Sequence, residues 1–127
     1  QVTEKLLRAT DIVFCTPVYW YAMSAQMKTL FDRFSDLITR RKRVGRLLAD
    51  KRTWLLVSGF DPLLPEGFEV PFKRTSEYFN MIYSGSLYGS VESGDFDPET
   101  LRLAREFGLK IRGQEYPAPL CPPPAAR

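Results

Sequence analysis

The chain has 127 residues, 44% hydrophobic and 13% aromatic, enough to bury one compact core and too few to call for a second domain. Its net charge of +3 comes from 18 basic and 15 acidic residues mixed along the sequence, so no large single-sign field for nucleic acid or a membrane is implied. Histidine is absent, which removes Ser-His and Cys-His nucleophilic pairs and most transition-metal sites, and Cys15 and Cys121 lack ligand or disulfide spacing.

If the protein is an enzyme, a bound cofactor is expected to carry the chemistry. No apolar run reaches the roughly eighteen residues of a transmembrane helix, and the opening QVTEKLLRATD lacks the parts of a signal peptide. The expectation is a soluble cytoplasmic protein with no nucleic-acid or membrane partner. The chain begins at Gln1 rather than at a methionine, so processing, an expression boundary or a truncated record is expected to have set its N-terminus.

In chain order, Val2, Leu6, Leu7 and Ala9 have helical spacing, and Thr10-Asp11 interrupts them before the apolar run Ile12-Val13-Phe14-Cys15, read as a strand covered on both faces. Cys15 is expected to be a small core residue. After Ser24, a plausible N-cap, Met27, Leu30, Phe31, Phe34, Leu37 and Ile38 form one apolar helical face that gives out near Arg40. The basic run Arg40-Arg41-Lys42-Arg43 complements a helix C-terminus, with a site for the 2'-phosphate of NADPH or a nucleic-acid backbone as the sharper alternative.

Thr53 to Val57 reads as a second buried strand ending at Ser58-Gly59, and a Pro- and Gly-punctuated loop runs from Phe60 to Pro71. Phe72, Thr75, Phe79 and Ile82 mark a weaker helix, and Leu87 to Val91 a third strand. Asp97-Pro98-Glu99 is a helix start, followed by the stripe Leu103, Phe107 and Ile111. From Pro117 the segment PAPLCPPPAAR is expected to be disordered, leaving residues 1–112 as the domain and 113–127 as a tail. The alternation of helix and strand argues for an α/β fold with a parallel sheet and helices on both faces.

The loop Thr16 to Met23 is where the residues point to chemistry, because ligands in open parallel sheets sit outside the carboxyl ends of the strands. Tyr19, Trp20 and Tyr21 are consecutive, so their side chains diverge and cannot all be core. Aromatic faces beside Met23, with backbone amides entering a helix start, suit a flat electron-poor ring such as an isoalloxazine. Plugging the sheet edge or forming a dimer contact is the alternative use of the same side chains.

The segment Ala9-Thr10-Asp11 through TPVYWYAMSAQMKTLFDR to Arg33 resembles the strand-loop-helix signature of NAD(P)H-dependent FMN reductases of the multimeric flavodoxin type. In that signature a small residue, Pro, a hydrophobic residue and Tyr precede a Ser-Ala-Gln-x-Lys helix and an Asp-Arg pair. The similarity continues through Val57-Ser58-Gly59, Tyr78-Phe79 and Ser86-Leu87-Tyr88-Gly89, and covers roughly residues 1 to 112. It implies a flavodoxin-like three-layer α/β sandwich with a parallel sheet, ordered 2-1-3-4-5 in a complete domain, of which this chain supplies the last three strands.

The resemblance further implies an FMN whose ring lies against Thr16, Pro17, Val18, Tyr19, Trp20 and Met23, with Ser58, Gly59 and Phe60 at its other end. It implies no catalytic side chain and no metal. NAD(P)H would deliver hydride, and a quinone, a flavin or another small acceptor would take the electrons, usually in a homodimer or homotetramer. Phe60 and Asp61 depart from the glycine-rich turn common in the family. The loop that holds the FMN phosphate in the family precedes these strands, and loss of even two charge-assisted hydrogen bonds weakens binding by roughly a hundredfold or more.

The strand Ile12 to Cys15 therefore becomes an edge, which predicts self-association through it or a longer natural protein. The rival readings are a flavodoxin-like electron carrier and a cofactor-free interaction domain.

Overall fold

The computed structural model describes residues 2–92 and 94–113. The expected tail therefore lies, beyond Gly113, outside the described residues. Helix α1 (Val2–Arg8) leads into strand β1 (Asp11–Pro17), then come α2 (Ala25–Thr39), α3 (Lys42–Arg46), β2 (Arg52–Gly59), α4 (Val70–Tyr78), β3 (Ile82–Ser90) and α5 (Pro98–Gly113). The strands form one parallel sheet in the order β1-β2-β3. β1 is an edge of that sheet among the described residues.

Two local departures from the sequence reading have clear causes. The helix expected to reach Ile82 stops at Tyr78, where Phe79 and the left-handed Asn80 (φ 55°) turn the chain into a strand that begins five residues before Leu87. The short α3 uses Gly45 because its backbone lies against α2: a Cβ there would sit 2.5 Å from the Leu37 carbonyl oxygen.

One face of the sheet holds the core. Ile12, Phe14, Leu55 and Val57 point to it, and α2 and α4 cover it with Phe34, Leu37 and Phe72. Phe14, Phe31 and Phe72 stack mutually at 5.1–5.8 Å between ring centroids, the tilted geometry that aromatic quadrupoles favour. α4 is keyed to the sheet by a buried hydrogen bond between the Thr53 and Ser76 hydroxyls at 2.8 Å.

The opposite face is covered only in part. Phe107 of α5 meets the buried Trp54 edge-on at 5.5 Å, whereas Leu103 is exposed and no described residue of α5 is fully buried. Val13, Cys15 and Leu56 are exposed on this face. Cys15 is thus not the core residue that its apolar run suggested. Period-two alternation along β1 turns it away from α2, and the apolar surroundings push its thiol pKa up.

At the amino end of the sheet a polar cluster replaces apolar packing. Asp11 and Arg52 are cross-strand neighbours, and the guanidinium donates twice to the carboxylate, Nε to Oδ1 and Nη2 to Oδ2, both at 2.7 Å. The Trp54 indole N–H adds a third bond at 2.9 Å. Lys51 donates to the carbonyls of Leu7 and Ala9, occupying acceptors at and beyond the end of α1.

The Arg52 bonds, offset by burial and helped by Trp54 and Thr10, hold the Asp11 pKa at about 2, below its ordinary 3.8. A depressed carboxylate stabilises the fold above its unfolded pKa and loses that contribution as pH falls through the folded value. Denaturant titrations should show a loss of roughly 2 kcal/mol between about pH 4 and pH 2. Asp11→Asn should remove a similar amount at pH 7 and flatten that window.

Candidate functional site

At the carboxyl ends of the strands, β1, β2 and β3 release loops 18–24, 60–69 and 91–97. The first is cinched at its base. The Val18 N–H donates to the Ser58 carbonyl at 2.8 Å, and the Thr16 hydroxyl accepts from the Ser24 N–H at 3.0 Å while donating to the Pro17 carbonyl. Ser24 then caps α2, its Oγ accepting from the Met27 N–H.

Between these anchors Tyr19 and Ala22 exchange backbone hydrogen bonds at 2.9 and 3.1 Å. The two residues between them are both left-handed, Trp20 at φ 50° and Tyr21 at φ 63°. Type I' hairpins impose this pattern and normally assign it to Asn and Gly. For other residues the left-handed region costs about 1–2 kcal/mol each. Little packing among the described residues offsets it, because Trp20 is 94% exposed and Tyr19 and Tyr21 are also exposed.

The second loop meets the first at Gly59. A Cβ at this position would lie 2.7 Å from the Tyr88 Oη and 3.2 Å from the Val18 Cβ, so only glycine lets the three strand ends converge so closely. The Gly59 carbonyl accepts from the Val91 N–H, and the Tyr88 hydroxyl donates to the Asp61 carbonyl at 2.6 Å. Burial, with the Asp61 charge, pushes the Tyr88 pKa up and keeps that donor protonated. Among the described residues the N–H groups of Phe60 and Asp61 have no acceptor.

All nine residues expected at a flavin gather at this end of the sheet, but they do not face one pocket. Thr16, Pro17 and Ser58 line an apolar hollow of about 400 Å³ beneath α5, with Leu56, Leu87 and Phe96. Met23 lines a second hollow of about 470 Å³ on the α2 side, with Tyr21, Phe31 and Phe68. Val18 packs on the core, Gly59 lies in the convergence point, and Tyr19, Trp20 and Phe60 stand exposed around it. The role of Tyr88 was not legible beforehand. Register slips between Thr53 and Trp54, leaving Ser84 between the residues that pair with them, and this bulge turns Tyr88 to the core face.

The basic run sits at the other end of the molecule. Arg40 caps α2, and Arg41 to Arg43 enter α3, at the amino end of the strands, so the run does not adjoin the loops described above. Those after β2 and β3 carry Asp61, Glu66, Glu69, Glu92, Asp95 and Asp97 and no lysine or arginine. No described helix is long and apolar enough to cross a membrane.

The fold matches known proteins. The family model of the flavodoxin-like fold matches residues 1–92, and the chain belongs to that family. It is 24% identical over 92 residues to YwqN of Bacillus subtilis (strain 168), provisionally named an NAD(P)H-dependent FMN-containing oxidoreductase. The match takes in 69% of this chain and 51% of that protein, so the chain spans about half the relative's length.

Among solved structures, the Trp repressor binding protein of Bacillus subtilis superposes with a TM-score of 0.68 at 22% identity, covering 87% of this chain and 68% of the other. An NADPH-quinone reductase from P. pentosaceus gives 0.68 at 21%, covering 87% and 71%. A WrbA-like flavodoxin from Agrobacterium tumefaciens gives 0.67 at 17%, covering 87% and 68%. At these identities the structures establish the shared fold.

Two substitutions test the geometry of the loops. Replacing Trp20 by Asn together with Tyr21 by Gly should raise the unfolding free energy by about 1–2 kcal/mol through relieved backbone strain. Gly59→Ala should lower stability by about 1–3 kcal/mol through overpacking. Chemical denaturation of the variants beside the parent measures both.

Proposed function

We propose that this chain provides the ring-binding part of an FMN-dependent oxidoreductase that takes electrons from NAD(P)H and passes them to a quinone, a flavin or another small acceptor. The observation that carries the reading is the cinched loop 18–24, which holds Tyr19, Trp20 and Tyr21 exposed in a strained hairpin at the same end of the sheet as Phe60 and Asp61, whose N–H groups have no acceptor among the described residues. Flat apolar faces and backbone donors are what the faces and the polar edge of an isoalloxazine require. The names of YwqN and of the P. pentosaceus reductase accord with this chemistry.

The residues present fit the ring rather than the whole cofactor. The acidic loops after β2 and β3 supply no cationic cradle for a phosphate. When bound, FMN would supply two-electron exchange with a nicotinamide and release of those electrons to an acceptor. The chain's own part is to bind and orient: Pro17, Val18 and Met23 set the loop, Tyr19 and Trp20 exclude water from the ring, and Ser58, Gly59 and Phe60 present backbone groups to its edge. No side chain is assigned a proton-transfer role. Assembly as a homodimer or homotetramer in the cytoplasm completes the proposal, with the exposed aromatic tip available to a second copy.

Purified protein titrated with FMN should quench the flavin fluorescence, and NADPH added without oxygen should bleach the visible flavin band. Tyr19→Ala and Trp20→Ala should each weaken binding about 2- to 10-fold, the worth of an aromatic contact. Binding without bleaching would leave an electron carrier. A natural full chain that takes up no FMN would contradict both redox readings and leave an interaction domain.

A further inference from the structure

Several cations of the chain are held by carboxylates: Lys28 by Asp32, Arg52 by Asp11, Lys73 by Glu69, Arg74 by Glu77, and Arg102 by Glu99 and Glu106. Those of the second half of α2 and of α3 are not. Arg33, Arg40, Arg41, Lys42, Arg43 and Arg46 make no ion pair or side-chain hydrogen bond among the described residues.

Three of these arginines stand around an apolar floor. Helices α1 and α2 wall a hollow of about 670 Å³, to which α1 brings Val2 and Leu6 and α2 brings Leu30 and Leu37, with Arg33, Arg40 and Arg41 beside them and Asp36 as the one acid in the lining. Val2 is exposed and Leu6 and Leu30 are half-buried, so part of the floor is wet. Leu30 and Leu37, like Arg33 and Arg40, recur after seven residues, about two helical turns, so each pair lies in line along α2. Like charges beside a wet apolar surface are not rewarded by the folded chain alone. A ligand with an apolar ridge flanked by carboxylates satisfies both features at once.

The shape of the site selects among polyanions. A nucleic acid offers phosphates but no apolar ridge for the floor. An anionic bilayer draws on protruding apolar faces, whereas this floor is recessed between two helices. An amphipathic helix offers both parts: apolar side chains at i, i+3, i+4 and i+7 enter the groove, and acidic residues beside them reach the arginines.

We propose that the groove between α1 and α2 docks an acidic amphipathic helix of a partner protein, with its apolar stripe on Val2, Leu6 and Leu30 and its carboxylates paired with Arg33, Arg40 and Arg41. None of the nine residues expected at a flavin lines this groove, so the proposal stands independently of the flavin reading.

The test titrates the full natural chain into two fluorescein-labelled synthetic peptides of identical Glu-, Ala- and Leu-rich composition, one with its leucines on a single helical face and one with them scattered, and reads fluorescence anisotropy. The patterned peptide should bind about tenfold more tightly than the scattered one. Arg33→Ala combined with Arg40→Ala should raise its Kd about 5- to 10-fold. Lys110→Ala combined with Arg112→Ala, which removes the same charge from α5, should leave the Kd unchanged. All four side chains are exposed, so both double variants should keep the parent's thermal midpoint. Equal binding of the two peptides, equal losses in the two double variants, or no binding of the patterned peptide at millimolar protein would overturn the proposal. Tighter binding of a DNA duplex or of phosphatidylserine vesicles through the same arginines would overturn it in favour of a nucleic acid or a membrane.

Discussion

The close approach of three strand ends at Gly59 is the constraint on which this end of the molecule depends. Parallel strands deliver their loops to one side of the sheet, yet nothing in that topology makes the loops touch. Here they touch because position 59 has no side chain: Val18 and Tyr88 occupy the space that a Cβ would need. The Val18 bond to Ser58 and the Tyr88 bond to Asp61 then convert contact into fixed geometry. A rigid base of this kind lets the hairpin above it hold two left-handed aromatic residues that its own packing does not reward. Strain of that sort persists where the surroundings over-determine it, and it concentrates at binding sites.

The two ends of the sheet divide the work of the molecule. At the amino end, Asp11, Arg52 and Trp54 form a satisfied polar network and Lys51 closes the end of α1. Buried charges are tolerated when every partner is present, and there they fix the register of β1 on β2. At the carboxyl end the polar groups left without partners among the described residues include the buried Ser90 hydroxyl and the Phe60 and Asp61 backbone donors, and Tyr19, Trp20, Tyr21 and Phe60 are exposed. The basic cluster Arg40 to Arg43 with Arg46 belongs to the amino end, away from the loops that would meet a ligand, whereas Lys28 lines the hollow beside Tyr21 and Met23.

Much of the fold was legible because its signals are local. The Ser24 cap and the stripe from Met27 to Ile38 mark α2, Asp97-Pro98 marks α5, and the apolar runs at Ile12 and Thr53 mark β1 and β2. What failed depended on tertiary context. Ile82 fits the spacing of a helix, yet a left-handed Asn80 sends it into β3. Cys15 sits in an apolar run, yet its face of the sheet is covered only in part by α5 among the described residues. The aromatic triad was visible as a candidate site because three adjacent rings cannot share one direction. Tyr88 was not, since its facing is set by a bulge at Ser84 that no local pattern announces.

The central claim is that a flat ring is bound where the loops after β1 and β2 converge. An NMR titration of the isotope-labelled full natural chain with FMN tests it most directly. The account predicts that the largest amide shift changes fall on Val18 to Met23 and on Ser58 to Asp61, with the indole N–H of Trp20 among them. Changes centred on Arg40 to Arg46 or on α5, with the two loops unmoved, would contradict it.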